Sequence, residues 1–221
     1  TIKKNNIIEI HNIQNRSLEF SLLISLPSAL GLYILSNPII HILFERGAFV
    51  AEDTFYTSQV LSIFSIGLPA YIFTKVLITC FFAREDTKSP LYVSIISVII
   101  NIALSLLLIG TMREIGIALA TAISAWINVI LLFCILKFKQ NLILDLIFIK
   151  NIYKIIISAL VMLCGCYLLN EIFFANLTNS IFLIKIVNLL FTIICCKIIY
   201  LTMIFMLKVI SFQDLKRYIK K

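Results

Sequence analysis

The chain has 221 residues, of which 61% are hydrophobic and only 14% charged, with a formal net charge of +8 and a mean hydropathy of +1.06. A soluble domain carries roughly 25% charged residues, so too little polar surface is present to coat one globular core, and a water-soluble fold is excluded. In lipid every backbone N–H and C=O must find a partner within the protein, which leaves helices or a closed barrel. The apolar runs are continuous and do not alternate, so the expected class is all-α and polytopic, with about six transmembrane helices.

In chain order, residues 1–16 carry Lys3, Lys4, His11 and Arg16 with isoleucines between them, and read as an amphipathic connector helix on the membrane surface with a solvated His11. Helix one is predicted over about Leu18–Leu35, kinked at Pro27, with Asn37-Pro38 ending it and Ile39–Phe44 forming a short apolar turn. Helix two spans about Thr54–Phe82, capped by Glu52, Asp53 and Thr54 and interrupted by Gly67 and Pro69. Helix three spans about Leu91–Ile109, with Pro90 suited to its first turn. Helix four spans about Ile115–Leu136 and places Gly116, Ala120 and Ser124 four apart on one face, a small-residue surface that permits close approach. The Thr111–Glu114 link is short, so helices three and four should form an antiparallel hairpin. Residues 139–154 read as a basic connector, 155–207 as a final pair of spans and 208–221 as a basic tail. Residues 17–138 would then be a four-helix unit.

Six crossings put both ends of the chain on one side. That side holds Lys3, Lys4, Arg16, Arg84, Lys88, Lys137, Lys139, Lys150, Lys154 and the cations of the tail, against Arg46, Arg113 and Lys185 opposite. The positive-inside rule makes it the cytoplasm. The positive charge lies between hydrophobic runs, so topology explains it better than nucleic acid does. The six cysteines, Cys80, Cys134, Cys164, Cys166, Cys195 and Cys196, all sit in apolar runs without CxxC spacing and read as small packers. The sequence contains no Ser-His-Asp arrangement, no His/Cys metal cluster and no phosphate loop, so no enzyme is expected. Asn176-Leu-Thr178 matches a glycosylation pattern, read as chance.

Two lysines fall within spans, and a central charge costs about 2.5–3.5 kcal/mol on insertion scales. Lys75 lies seven residues before Phe82, roughly 10 Å along the axis. Its stem can snorkel to the interface, or its ammonium can face a watery cavity and meet an anionic group. Lys197 is the weaker candidate. Asn101 and Ser105 are four apart in helix three, with Thr121 at comparable depth across the hairpin. Their oxygens suit either interhelical hydrogen bonding or a small cation such as sodium; with no carboxylate deep in any span, the cation reading is the weaker.

The stretches RGAFVAEDT (46–54), SIGLPAYIFTKVL (65–77) and FFAREDTKSP (81–90) resemble the second half of the MurJ/MviN lipid II flippases, within the multidrug/oligosaccharidyl-lipid/polysaccharide exporter superfamily. FFAREDTKSP is similar to the family signature aromatic-(A/S)-R-x-D-T-K-T-P, with Ser89 in place of the second Thr. LPSALGLYIL (26–35) and GIALATAIS (116–124) resemble further family blocks in the right order. The likeness is good over about residues 17–140; beyond, it is one of position and hydropathy.

The resemblance implies a fourteen-helix, two-lobe transporter of the bacterial inner membrane. It would move undecaprenyl-linked peptidoglycan precursor, lipid II, outward by alternating access. Helices one to four would belong to the second lobe, and five and six to the final pair bordering a lipid-tail groove. Its partners would be lipid II, membrane lipids and the preceding helices. Arg84, Asp86, Thr87, Lys88 and Pro90 would form a cytoplasmic latch, with Asp86 and Thr87 capping helix three. Gly67 and Pro69 would let helix two bend. No cofactor is expected beyond possible sodium coupling at Asn101, Ser105 and Thr121. Two alternatives stay open: a superfamily exporter of another lipid-linked glycan or a drug, or a truncated, non-transporting membrane fragment.

Overall fold

The computed structural model describes residues 2–139, 144–174 and 182–209. Among them every regular element is helical: α1 (Ile2–Ile34), α2 (Ser36–Phe44), α3 (Ala51–Phe82), α4 (Lys88–Phe138), α5 (Leu146–Phe174) and α6 (Phe182–Met206). Five are long and apolar enough to cross a membrane. α4 is two crossings, because Arg113 leaves helical geometry at φ 49, ψ −130 and folds the helix back on itself. Asn101 in the first arm donates to Ser124 in the second at 3.0 Å, so the arms are antiparallel neighbours. Six crossings and the hairpin are as expected.

Four boundaries differ from expectation. α1 runs unbroken from Ile2, so the first sixteen residues are no separate surface helix. Their polar face has a partner in Asp145, to which Asn15 donates, and one turn on Glu19 accepts from Asn151; both partners come from the segment that opens α5. His11, Gln14 and Asn15 are accordingly buried, and His11 is not solvated. The expected turn after Asn37-Pro38 is helix α2, with Pro38 and Ile40 buried; proline is tolerated there because a first-turn N–H has no helical partner to lose. α3 begins three residues early, at Ala51, where the N–H of Val50 donates to Asp53. α5 begins at Leu146, within the stretch expected as a basic connector, because Phe148 and Ile155 are buried in the bundle. The Asn176 pattern and the tail beyond Val209 lie outside the described residues.

α1 is the spine. Leu18 joins a core with Leu77, Phe81, Val93, Leu132, Leu136 and Phe148, drawn from α3, both arms of α4 and α5. Leu35, after the far end of α1, joins a second core with Ile42 of α2, Ile155 and Met162 of α5, and Tyr200 and Ile204 of α6. Cys80, Cys166 and Cys196 are buried packers, and Cys134 and Cys164 face outward among apolar side chains. Leu106 and Leu107, in the last two turns of the first arm of α4, are 72% and 74% exposed, as lipid-facing residues are.

Two prolines test how the spans stay satisfied. Pro27 has no N–H to give the carbonyl four residues back, Leu23. The hydroxyl of Tyr200 on α6 donates to that carbonyl at 2.8 Å. Near Pro69, Trp126 of α4 donates through its indole N–H to the carbonyl of Ile66 at 3.1 Å. On the hairpin, a Cβ on Gly116 would lie 2.7 Å from the Leu108 carbonyl oxygen, so only glycine allows the arms to close there. Ala120 and Ser124 continue that buried stripe, as predicted.

Candidate functional site

A cleft of about 460 Å³ opens where α3 meets both arms of α4. Tyr71, Thr74 and Lys75 line it from α3, Ser94, Ser97 and Asn101 from the first arm, and Thr121, Ser124 and Asn128 from the second. Lys75 is exposed and lines this cleft. Lys197 is exposed elsewhere, on α6. Three buried atoms of the cleft, Tyr71 Oη, Ser97 Oγ and Asn128 Oδ1, have no hydrogen-bond partner among the described residues. Buried polar atoms are nearly always paired, so this wall is suited to water or a polar ligand group. Sequence reasoning missed Tyr71 and Ser97, since a tyrosine or a serine in an apolar run is ordinarily packing.

Gly67 is buried one turn before Tyr71. A Cβ there would come within 3.1 Å of the tyrosine ring, so the glycine makes the seat on which that ring lies. Pro69 sits inside α3 without ending it.

Asn101, Ser105 and Thr121 do come together, and Ser124 joins them. The Asn101 amide donates to Thr121 at 3.3 Å and to Ser124 at 3.0 Å, while the Ser105 hydroxyl donates to Asn101 Oδ1 at 3.4 Å. Thr121 and Ser124 pass their own hydrogens to the carbonyls of Ile117 and Thr121. These oxygens are committed to one another, as an interhelical tie requires.

The Arg84–Pro90 turn is built as a latch. α3 ends with the N–H of Asp86 donating to the Phe81 carbonyl, while Glu85 adopts φ 59; this is a Schellman-type stop. Arg84 donates to the Cys80 carbonyl at 2.8 Å. Asp86 then starts α4 by accepting from the N–H and the hydroxyl of Ser89, and the Lys139 ammonium reaches it at 2.6 Å from the end of the second arm. The Lys139 bond, followed by the two from Ser89, holds the Asp86 carboxyl down at about 2. Thr87 makes no side-chain cap, so Asp86 alone performs the capping expected of the pair. Lys88 is exposed and Pro90 buried.

At the other end of the bundle a second network joins three elements. Thr54 of α3 donates to Glu45 at 2.7 Å, His41 Nδ1 of α2 meets the same carboxylate oxygen at 2.7 Å, and Lys185 of α6 meets His41 Nε2 at 3.1 Å. The bonds from Thr54 and then His41 hold the Glu45 carboxyl below its usual range, against a smaller opposing effect of burial. No sequence signal marked this group, whose members lie up to 144 positions apart.

Six apolar crossings, a polar cleft within the span region and charged latches at both ends define a multi-pass helical membrane protein. The family model for lipid II flippase MurJ matches residues 1–188, and the chain belongs to that family. It is 43% identical over 162 residues to a probable lipid II flippase MurJ of Rhizobium tropici, covering 73% of this chain and 30% of that relative. A probable lipid II flippase MurJ of Rickettsia prowazekii (strain Madrid E) is 45% identical over 131 residues, covering 59% of this chain and 26% of the relative. A solved structure of lipid II flippase MurJ in an inward closed conformation superposes with a TM-score of 0.69 at 30% identity. It covers 89% of this chain and 40% of that one. The chain thus spans 30% or less of the length of these two relatives.

Proposed function

We propose that this chain supplies the second lobe and closing helix pair of a transporter that moves undecaprenyl-linked peptidoglycan precursor across the bacterial inner membrane by alternating access. The carrying observation is the Lys75 cleft: a span cation beside buried hydroxyls that have no partner among the described residues. An ammonium in a span is costly unless it meets an anion or water. A lipid-linked diphosphate headgroup offers the anion, and its sugars offer partners for Tyr71 and Ser97. Membrane lipid, the substrate and the helices completing the transporter are the partners in this reading. Both ends of the chain lie in the cytoplasm, as the asymmetry of cations between the two loop sets supports. Gly67 and Pro69 are the proposed flexure of α3.

The test is Lys75→Ala within the full-length transporter, scored by complementation of a flippase-depleted bacterium and by the accessibility of lipid II at the outer leaflet. Transport is expected to fall about tenfold, the worth of one charge-assisted bond, with insertion unchanged and Lys75→Arg largely active. Wild-type transport in the alanine variant would return Lys75 to simple snorkelling. Uptake of a drug, or of another lipid-linked glycan in place of lipid II, would transfer the chain to another branch of the superfamily. Sodium coupling through Asn101, Ser105 and Thr121 is proposed separately. Its test is whether Asn101→Leu abolishes a sodium dependence of transport, which mere loosening of the hairpin would not do.

A further inference from the structure

We propose that His41 is a proton-binding site that decides whether α6 is fastened to the rest of the bundle at the Arg46 end. The Glu45 carboxylate only accepts, and the Lys185 ammonium only donates. His41 stands between them, Nδ1 at 2.7 Å from Glu45 and Nε2 at 3.1 Å from Lys185. A single imidazole satisfies both neighbours only when it is neutral, with its hydrogen on Nδ1 and its lone pair on Nε2. The next proton must go onto Nε2. There it faces an ammonium, so a hydrogen bond becomes a contact between two donors of like charge.

The consequence is one-sided. Protonation strengthens the bond from Nδ1 to Glu45, and Glu45 stays tied to Thr54, so α2 and α3 remain joined. Lys185 is expelled, and α6 loses its bond to α2. Among the described residues, the other groups near the ring do not replace that bond. On α3, Asp53 is engaged by the Val50 N–H and Glu52 is exposed in the same turn. Arg46, from the loop, is exposed and of the same sign as Lys185; the last turn of α1 brings only Tyr33, also exposed. The His41 side chain is 33% exposed, so protons reach it. Acid on this side of the membrane therefore frees the start of α6 while leaving the α2–α3 corner closed. The proposal does not rest on what the transporter carries.

The chain has two histidines, His11 and His41. In ¹⁵N-histidine spectra of the chain in liposomes, the signal lost in His41→Gln identifies the ring. Spectra recorded at about pH 8 should show hydrogen on Nδ1 alone, and spectra at about pH 5 hydrogen on both nitrogens. Over the same interval, amide exchange in the second turn of α6, whose N–H groups are the first to be bonded within the helix, should quicken about tenfold once corrected for its intrinsic pH dependence. It should not quicken in His41→Gln, which keeps a donor and an acceptor but takes no proton. A ring with hydrogen on Nε2 at pH 8 overturns the proposal. So does an imidazolium that forms without any change in α6 exchange. His11→Gln, which leaves His41 as the one labelled ring, gives the same assignment independently, so a His41→Gln chain that failed to fold would leave the first measurement decisive.

Discussion

Glu85 stands in the left-handed region at φ 59, where a side chain costs about 1 kcal/mol and glycine nothing. It is exposed, and the stop it forms is made by backbone bonds, so Glu85→Gly should raise the stability of the chain by up to about 1 kcal/mol. A higher thermal midpoint in detergent is the measurement. Asp86, next to it, makes stability depend on acid. Its carboxyl is held down at about 2 from an ordinary 3.8, chiefly by Lys139. A lowered folded-state pKa means that the contribution is present above pH 3.8 and is lost as the pH falls through about 2. Between those values the midpoint of the wild-type chain should drop more than that of Asp86→Asn. Equal slopes would show that the latch holds nothing. The motif residues of this turn were legible because they are local. Lys139, fifty-three positions away, was not, since one basic residue after a span looks like any other.

At the scale of the helix, Pro27 announced a need that the sequence could not say how to meet. A proline in a span leaves a carbonyl bare, and in lipid something must cover it. Tyr200 covers it, from a stretch where a tyrosine reads as one more bulky apolar residue. The pair predicts non-additivity. Tyr200→Phe alone should cost roughly 1–3 kcal/mol, because the Leu23 carbonyl is left buried and unpaired. In a Pro27→Ala background the helix supplies its own N–H to that carbonyl, and the same change should cost about 1 kcal/mol less. A double-mutant cycle of unfolding in mixed detergent checks this; a coupling of zero would mean that the hydroxyl is merely placed nearby. The hairpin within α4 was legible for the opposite reason. Its small residues and short link act locally, and burial of Gly116, Ala120 and Ser124 is what such a stripe is for.

For the whole molecule, hydropathy sufficed to find six crossings, because lipid penalises any gap in an apolar run. It could not find where α1 begins. A polar face on a helix looks the same whether it meets water or a partner, and Asp145, the partner, lies 130 positions away. Orientation is the prediction at this scale. A cysteine at Lys88 should react with a membrane-impermeant maleimide only after the inner membrane is opened. Labelling in intact spheroplasts would reverse the topology proposed here. The unbroken α1 also has a mechanical meaning. Thirty-three residues make a rod about 50 Å long, against a hydrocarbon core of about 30 Å. Tyr200 grips it at Leu23, about two-thirds of the way along, so the grip acts as a fulcrum with the longer arm toward Ile2. A tilt of about ten degrees there would sweep that far tip through roughly 5 Å, nearly twice the travel of the short arm. Small displacements beside α2 would thus emerge, magnified, on the opposite side of the membrane.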